Sequence, residues 1–327
     1  MDKRVYAMNN IVFFGSSEFA VPSLRALIAG GYKVSCVVTQ PDRQKGRGLS
    51  LAPTVIKTVA EESNLKIYQP QRINIPEAIK FLKDLNPDLF VVISYGQILS
   101  REILEIPKIF SINAHASLLP KYRGAAPINR ALINGERTTG VTLMKMTEKM
   151  DAGPIILQKN VEIDDEADYL TLEAKLSQVA AELLVDSLKP IEKGNYKLID
   201  QDEGSVSFAP KLKKEDGCID WDKPAADIYN LIRGCASWPG AFTYYKGKLL
   251  KIYKAGVSSQ VRKFASSIPG GILEASKEGI VVSTGRGNII IKELQIAGKR
   301  RMRAEEFISG HKISAGEVLT YPSPRKQ

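Results

Sequence analysis

Short apolar runs alternate with helical patterns through the N-terminal two thirds of the chain, and this alternation constrains the fold more than any other feature. Ile11–Phe14 is followed by a helical repeat and then by a second apolar run, Val34–Val38. Leu89–Ile93, Ile109–Asn113 and Val141–Met144 continue the series. Such runs are typical of buried parallel strands joined by helices. The sequence therefore predicts an α/β domain with a doubly wound, mostly parallel sheet of Rossmann-like type.

The pattern changes after a predicted long helix, roughly Leu170–Leu188. Residues 195–214 are polar and lack periodicity, as expected of an extended linker. We expect a first domain over residues 1–194, a linker over 195–214, and a small C-terminal β-barrel of OB-like type over 215–327. The predicted barrel strands are Ala241–Tyr245, Leu249–Tyr253, Gly279–Ser283 and Asn288–Ile291, separated by turns that contain glycine.

Positive charge is concentrated in the C-terminal third. Residues 211–327 hold 21 Lys and Arg against 11 Asp and Glu, whereas residues 1–210 hold 25 of each class, so the net charge of +10 belongs to the C-terminal part. An excess of this kind favours a partner that carries phosphates, or less often an anionic membrane surface. A basic domain without such a partner is the alternative.

Several classes of protein are disfavoured by the composition. The N-terminus lacks the apolar core of a signal peptide, and no stretch approaches the roughly 20 apolar residues that span a membrane, so we expect a cytosolic, cytoplasmic protein. Cys36, Cys218 and Cys235 have neither the spacing of a zinc site nor that of a disulfide framework. Their arrangement predicts reduced, structural cysteines.

The end of the first predicted strand does not fit a nucleotide site. The segment Gly15–Glu18 lacks the full G-x-G-x-x-G fingerprint, and Glu18 places a carboxylate where a pyrophosphate would lie. The sequence also lacks a P-loop, an H-E-x-x-H motif and a G-x-S-x-G elbow. Dehydrogenases, P-loop enzymes, zinc peptidases and α/β-hydrolases are therefore disfavoured.

A polar pair stands at the end of the fourth predicted strand, where Asn113 and His115 share one face of an extended chain. The chain has 2 histidines, so catalysis by an imidazole near neutral pH would depend on His115. The alternative is a hydrogen-bonded structural histidine. Asn113 is either a turn former or a donor to a developing oxyanion. Asp151 follows the next strand in a predicted Asx turn and, with the pair, completes a candidate catalytic set.

These residues belong to a longer pattern. The chain carries N-x-H-x-S-L-L-P at residues 113–120, R-G-A-A-P at 123–127 and M-D-x-G-P at 150–154. In this respect it resembles the folate-dependent formyltransferases, whose catalytic residues are Asn, His and Asp. Other segments resemble the members that act on the methionine of an aminoacylated initiator tRNA: Thr39–Arg43, Gly46–Gly48, Gly217–Trp221, Trp238–Gly240 and Gly298–Arg300.

The resemblance implies transfer of a formyl group from 10-formyltetrahydrofolate to an amine, without a covalent enzyme intermediate and without a metal. It makes Asn113 the oxyanion donor, assisted by His115, and gives Asp151 the task of orienting the imidazole. We also expect a cis peptide bond before Pro120, because X-Pro bonds are where the cis form costs least. The implied folate-binding residues are Tyr95, Gly96, Gln97, Ile98 and Leu99, and Ser117, Leu118, Leu119 and Pro120.

For the acceptor, the resemblance implies a methionyl initiator tRNA bound by a monomeric enzyme. A formyltransferase acting on a small amine, such as a ribonucleotide or a nucleotide-linked amino sugar, would not need the basic C-terminal part. A non-catalytic RNA-binding protein would not need the three catalytic residues. The implied tRNA-binding residues are Arg47, Lys211, Lys213, Lys214, Lys246, Lys248, Lys299, Arg300, Arg301 and Arg303.

Overall fold

The computed structural model describes residues 8–45, 50–258, 268–311 and 313–321. The chain divides into two compact units. The first unit comprises Met1–Pro127, Thr138–Glu162 and Glu173–Ala209, and the second comprises Ile128–Arg137, Ile163–Leu172 and Pro210–Gln327. Residues 195–209, within the predicted linker, thus group with the first unit.

A sheet of 7 strands forms the centre of the first unit among the described residues. The strands are β1 Ile11–Gly15, β2 Val34–Val38, β5 Ile67–Tyr68, β6 Leu89–Ile93, β7 Phe110–His115, β8 Thr138–Lys145 and β9 Ile155–Glu162. Their order is β5-β2-β1-β6-β7-β8-β9, with β8 and β9 antiparallel to their neighbours and the others parallel. A separate hairpin pairs β3 Arg43–Lys45 with β4 Ser50–Ala52.

Burial explains which strands the sequence predicted. Every residue of β1 and β6 is buried, and strands covered on both faces read as continuous apolar runs. In β9 the four residues 157–160 are exposed, so the apolar run is interrupted and the sequence did not predict this strand.

The other described elements are helical. The α-helices are α1 Val21–Ala29, α2 Val55–Glu62, α3 Pro76–Asp84, α4 Arg101–Leu104, α5 Pro127–Ile133, α6 Tyr169–Glu192, α7 Ala225–Gly234 and α8 Ala304–Gly310, and 3-10 turns lie at Glu18–Ala20, Glu203–Ser205 and Lys214–Gly217.

An antiparallel sheet organises the second unit. Its strands are β10 Ala241–Tyr245, β11 Lys248–Ser258, β12 Ile272–Ser276, β13 Gly279–Ser283, β14 Asn288–Ile296 and β15 Met302–Arg303. The order is β10-β11-β14-β13-β12, and β15 also pairs with β14. The predicted combination of a mostly parallel N-terminal sheet with an antiparallel C-terminal domain is confirmed.

The last described segment of the second unit bonds to both edges of this sheet. Thr320 pairs with Tyr244 in β10, Val318 pairs with Gly271 just before β12, and the Glu317 carbonyl accepts from the Ile272 amide of β12. Because one segment satisfies both edge strands, it closes the sheet into a small barrel and leaves fewer unpaired edge groups. Across the described residues of the whole chain, none of the helices combines the length and apolar character needed to cross a bilayer.

A buried hydrogen-bond chain connects the barrel to this closing segment. The Trp221 indole N–H donates to the Thr243 hydroxyl at 3.0 Å, and that hydroxyl donates to the Thr320 carbonyl at 3.0 Å. Thr243 is fully buried and Trp221 is nearly so. The hydroxyl thus supplies an acceptor for the buried Trp221 N–H and a second donor to the Thr320 carbonyl, which also accepts from the Tyr244 amide.

We expect Thr243→Val to destabilise the second unit, because it keeps the side-chain volume but leaves the buried Trp221 N–H without its acceptor, while the Thr320 carbonyl keeps only its hydrogen bond from the Tyr244 amide. The loss in free energy of unfolding should be about 1–3 kcal/mol. Both tryptophans of the chain, Trp221 and Trp238, lie in this unit, so urea denaturation followed by tryptophan fluorescence reports on it selectively. Thr243→Ser keeps the hydroxyl and is the control; a larger loss for serine than for valine would contradict the role of the hydrogen bonds.

Candidate active site

Two of the predicted catalytic residues lie on β7, the last strand of the parallel part of the sheet. Asn113 is opposite Met144 of β8, and His115 is opposite Thr142 of the same strand. Being two residues apart on one strand, Asn113 and His115 share a face, as the alternation predicted. The site therefore lies at the carboxyl edge of the parallel strands, where doubly wound sheets bind ligands.

His115 is held by a main-chain carbonyl. Its ring is 7% exposed, and Nε2 lies 2.9 Å from the Tyr122 carbonyl oxygen. A carbonyl can only accept, so Nε2 carries a hydrogen and donates it. Nδ1 then faces the Asp151 carboxylate, with 3.7 Å between Nδ1 and Oδ2. Tyr122 fixes the tautomer, and Asp151 forms an ion pair with the ring when Nδ1 is also protonated.

Asp151 occupies a left-handed backbone conformation, with φ of 51°. Its Oδ2 accepts a hydrogen bond of 2.9 Å from the Gly124 amide, and its side chain is 13% exposed. The turn between β8 and β9 is thereby joined to the loop that follows β7. His115 and Asp151, which the sequence separates by 36 positions, come within ion-pair distance.

The Asn113 amide is the third member of the set. Its Oδ1 is buried and has no hydrogen-bond partner among the described residues. Buried polar atoms are nearly always paired in folded proteins, so an unpaired one at the end of a strand indicates a group kept for a ligand. Since an amide oxygen can only accept, the open Oδ1 is suited to a donor group on a ligand, and the donor to an oxyanion would be the NH2 group of the same side chain.

Two glycines allow the close approach of these segments. Gly124 has φ of 127°, and a Cβ there would lie 2.6 Å from the Ala209 carbonyl oxygen. A Cβ on Gly153 would lie 1.8 Å from the carbonyl oxygen of Lys145. Both distances are far below van der Waals contact, so neither position accepts a side chain without movement of the backbone.

The loop at residues 117–120 is shaped by β8 and β9. The Thr142 hydroxyl donates to the Ser117 carbonyl at 2.7 Å and accepts from the Leu119 amide at 3.0 Å. Gln158 donates to the Leu119 carbonyl at 2.7 Å and to the Thr142 hydroxyl at 2.8 Å. The Leu119–Pro120 peptide bond is cis, as predicted, and a second cis bond, Trp238–Pro239, was not predicted. Sequence reasoning missed Thr142 and Gln158, because neither belongs to a recognisable motif.

A cavity of about 160 Å³ lies beside Asp151. Three of the predicted folate residues, Gln97, Ile98 and Leu99, contribute to its wall. Tyr95 does not; its ring is buried, which raises the pKa of the phenol. The other predicted folate residues are likewise absent from this wall: Gly96, Ser117, Leu118, Leu119 and Pro120. Besides Asp151, the wall also includes Met144, Met146, Thr147, Glu148, Lys149 and Met150.

A second cavity, of about 370 Å³, lies at the carboxyl ends of β1 and β2. Ser16, Ser17 and Glu18 line one part of it, and Gln40 and Arg43 line another. Glu18 thus faces a cavity at the place where a dinucleotide would need a pyrophosphate site, consistent with the exclusion made from sequence. The wall also includes Pro41, Ala52, Pro53, Thr54 and Val55.

The cysteines do not supply a nucleophile. Cys36 and Cys235 are fully buried, and burial raises the pKa of each thiol to about 12. Burial also raises the pKa of the half-buried Cys218 thiol. Thiols of this kind stay protonated near neutral pH and are unreactive.

Among the described residues, the predicted tRNA-binding cations divide into those that form an ion pair and those that do not. Three form one: Lys246 with Glu317, Arg300 with Glu306 and Arg301 with Glu293. Arg47 lies outside the described residues. Within the ranges that the structure describes, no ion pair is formed by Lys211, Lys213, Lys214, Lys248, Lys299 or Arg303.

We expect Gly153→Ala to destabilise the first unit by about 3 kcal/mol, because the added methyl overlaps the Lys145 carbonyl and forces a backbone shift. Gly310→Ala is the matched control, since a Cβ there meets nothing within 4 Å. Guanidinium denaturation followed by far-UV circular dichroism measures both. Equal stability of the two variants would show that the turn accommodates a side chain.

Comparison with known proteins gives the family. The formyl transferase model matches residues 8–188, and the model of the formyl transferase C-terminal domain matches residues 211–312. A methionyl-tRNA formyltransferase of Acetivibrio thermocellus is 45% identical over 309 residues, which cover 94% of this chain and 99% of that protein. One from Thermodesulfovibrio yellowstonii is 48% identical over 308 residues, covering 94% and 98%.

A solved structure supports the same fold. WlaRD, a sugar 3N-formyl transferase determined in the presence of dTDP and 5-N-formyl-THF, is similar with a TM-score of 0.66 and 22% identity, over 90% of this chain and 99% of that chain. The N-terminal family model covers the stretch of chain that holds Asn113, His115 and Asp151. The chain belongs to the formyl transferase family.

Proposed function

We propose that this enzyme transfers the formyl group of 10-formyltetrahydrofolate to the α-amino group of methionine esterified to initiator tRNA. The observation that carries the proposal is the set of a buried His115 with half-buried Asn113 and Asp151 beside a cavity, in a chain whose relatives over nearly their whole length are methionyl-tRNA formyltransferases. We place this activity in the cytoplasm and assign it to a monomer.

The reaction joins the methionyl nitrogen to the formyl carbon and breaks the bond between that carbon and N10 of the folate. The formyl oxygen gains negative charge during attack, and we assign its stabilisation to the Asn113 side-chain amide. The attacking ammonium-derived nitrogen must lose a proton, and N10 must gain one as it leaves. No oxidation or reduction occurs, so proton transfer and charge stabilisation are the demands on the protein.

We assign the proton transfer to the pair of His115 and Asp151. Since Nε2–H of His115 is committed to the Tyr122 carbonyl, Nδ1 is the ring nitrogen free to take up and release a proton. The Asp151 carboxylate, 3.7 Å from Nδ1, stabilises the imidazolium that forms. Asp151 also lines the cavity, so the pair reaches the place where a substrate would bind.

We assign the cavity beside Asp151 to one end of the folate. Its volume of about 160 Å³ is below the several hundred Å³ typical of a whole ligand site, so it holds a ring rather than the full molecule. Two apolar residues that line it, Ile98 and Met150, are 69% and 58% exposed and offer apolar surface to the rest of the folate molecule. The loop at residues 117–120 contributes main-chain groups. The cavity at the ends of β1 and β2 is our candidate for the acceptor.

The C-terminal charge supports a tRNA acceptor over a small amine. The six cations that lack an ion pair among the described residues are free to contact phosphates without breaking an existing bridge. Lys246, Arg300 and Arg301 would first have to exchange a carboxylate for a phosphate. We therefore rank Lys211, Lys213, Lys214, Lys248, Lys299 and Arg303 above those three as tRNA contacts.

We expect Asn113→Ala to lower kcat for formylation of methionyl initiator tRNA by about 100- to 1,000-fold, because the oxyanion loses its donor. Single-turnover assays with 10-formyltetrahydrofolate measure the rate, and filter binding should show unchanged tRNA affinity. Asn160→Ala removes an exposed amide from β9 and should leave the rate unaltered.

The acceptor is tested in the same assay. Methionyl elongator tRNA, a ribonucleotide amine and a nucleotide-linked amino sugar replace the initiator tRNA in parallel reactions. Formylation of a small amine without formylation of charged tRNA would refute the proposed acceptor. Formylation by Asn113→Ala at the normal rate would instead refute the assignment of the oxyanion donor.

We expect replacement of Lys248 and Lys299 by Ala to weaken tRNA binding and to reduce the slope of log K against log salt concentration by about 1 for each lost phosphate contact. Arg300→Ala is the comparison variant, because its guanidinium is already neutralised by Glu306. A salt titration of binding measures both. Equal slopes for the two variants would contradict the ranking.

A further inference from the structure

A segment that follows α6 packs against the turn that contains Asp151. We call residues 199–209 the return segment. Ile199 pairs with Ile155 at the start of β9 through hydrogen bonds of 2.8 and 2.9 Å. Ser207 accepts from the Tyr122 amide at 2.9 Å through its hydroxyl and from the Arg123 amide at 2.9 Å through its carbonyl. The return segment therefore bonds to both stretches of chain that support His115 and Asp151.

Gln201 of the return segment contacts the Asp151 turn directly. Its side-chain nitrogen donates to the Asp151 carbonyl at 2.9 Å and to the Gly153 carbonyl at 2.7 Å. Its side-chain oxygen accepts from Arg123 Nε at 3.0 Å and from Nη2 at 2.8 Å. The amide thus uses two donors and two acceptor sites, which is its full capacity. A fully bonded Gln201 thus holds the main chain of the Asp151 turn through two of its carbonyl groups.

Arg123 lies between the two main-chain groups that contact the catalytic residues. The Tyr122 carbonyl before it accepts from His115, and the Gly124 amide after it donates to Asp151. The Arg123 side chain is 7% exposed, and a buried charge is stable only when it is paired and hydrogen-bonded. Glu203 supplies the negative charge at 2.9 Å, and its hydrogen bond to Arg123 lowers the pKa of the Glu203 carboxyl.

We propose that Gln201 and Arg123 are positioning residues for formyl transfer: by fixing the main chain of Asp151 and of residues 122–124, they hold the Asp151 carboxylate and the His115 ring in their reactive arrangement. Neither residue contacts the reacting atoms. The proposal rests on the proposed function of this site and adds two residues that the catalytic motifs do not include.

We expect Gln201→Glu to lower kcat by about 100-fold while KM for both substrates stays unchanged, since a small displacement of a catalytic group costs about this factor. The glutamate keeps the contact with Arg123 but turns a carboxylate oxygen toward two carbonyls. Gln201→Met, which is uncharged and of similar length, is the second variant. Asp202→Asn is the matched control: Asp202 caps Gly204 and Ser205 in the same segment without touching Arg123 or Asp151, so its kcat should be normal.

A double-mutant cycle separates positioning from general structural damage. If Gln201 acts through the Asp151 carboxylate, adding Gln201→Glu to Asp151→Asn should cause little further loss of kcat in a single-turnover assay. A multiplicative loss in the double variant would overturn the proposal, as would normal kcat in both Gln201→Glu and Gln201→Met.

The same series includes Arg123→Lys, which retains the positive charge but lacks the planar guanidinium group that contacts both Gln201 and Glu203. We expect a lower kcat with unchanged KM for this variant as well, and melting temperatures verify that each variant is folded. The outcomes are distinguishable: wild-type enzyme that fails to formylate methionyl initiator tRNA refutes the proposed function, whereas active wild type with fully active Gln201 and Arg123 variants refutes only the positioning role.

Discussion

The hydrogen bond from the Gly124 amide to the Asp151 carboxylate directly joins two parts of the chain that are distant in sequence: the loop after β7 and the turn between β8 and β9. It places Oδ2 at 3.7 Å from His115 Nδ1, and it forms only because Gly124 and Gly153 leave room for neighbouring carbonyls. The position of the Asp151 carboxylate thus depends on backbone packing, and such an arrangement would be preorganised for the proposed reaction.

The tautomer of His115 follows from the same arrangement. A carboxylate is the usual partner that orients a catalytic imidazole, yet here the Tyr122 carbonyl takes the Nε2 hydrogen and Asp151 faces the other nitrogen. A carbonyl acceptor cannot be protonated near neutral pH, so the orientation of the ring does not vary with the charge of Asp151. In the proposed mechanism the carboxylate is then available to stabilise positive charge on the ring.

The sequence predicted those elements that are encoded by residues close together in the chain. The buried strands β1, β2 and β6 are continuous apolar runs, and Asn113, His115 and Asp151 stand in compact motifs. What escaped prediction depends on contacts between distant positions. Arg123 and Gln201 are separated by 78 residues, and Thr142 and Gln158 show their role only when two strands pair beside the loop. Strand β9 escaped for another reason, because its central residues face solvent and break the apolar run.

The segment that closes the barrel has a consequence for biosynthesis. Thr320 pairs with Tyr244 of β10, and Glu317 bonds to Ile272 of β12; both strands leave the ribosome well before these partners. Until then β12 lacks this partner and β10 has an earlier one at Phe242, which pairs with Cys218, and exposed edges favour pairing with other chains. The second unit therefore completes its sheet only after residue 320 has been made, whereas the described strands of the first unit, all N-terminal to residue 163, can pair much earlier in synthesis.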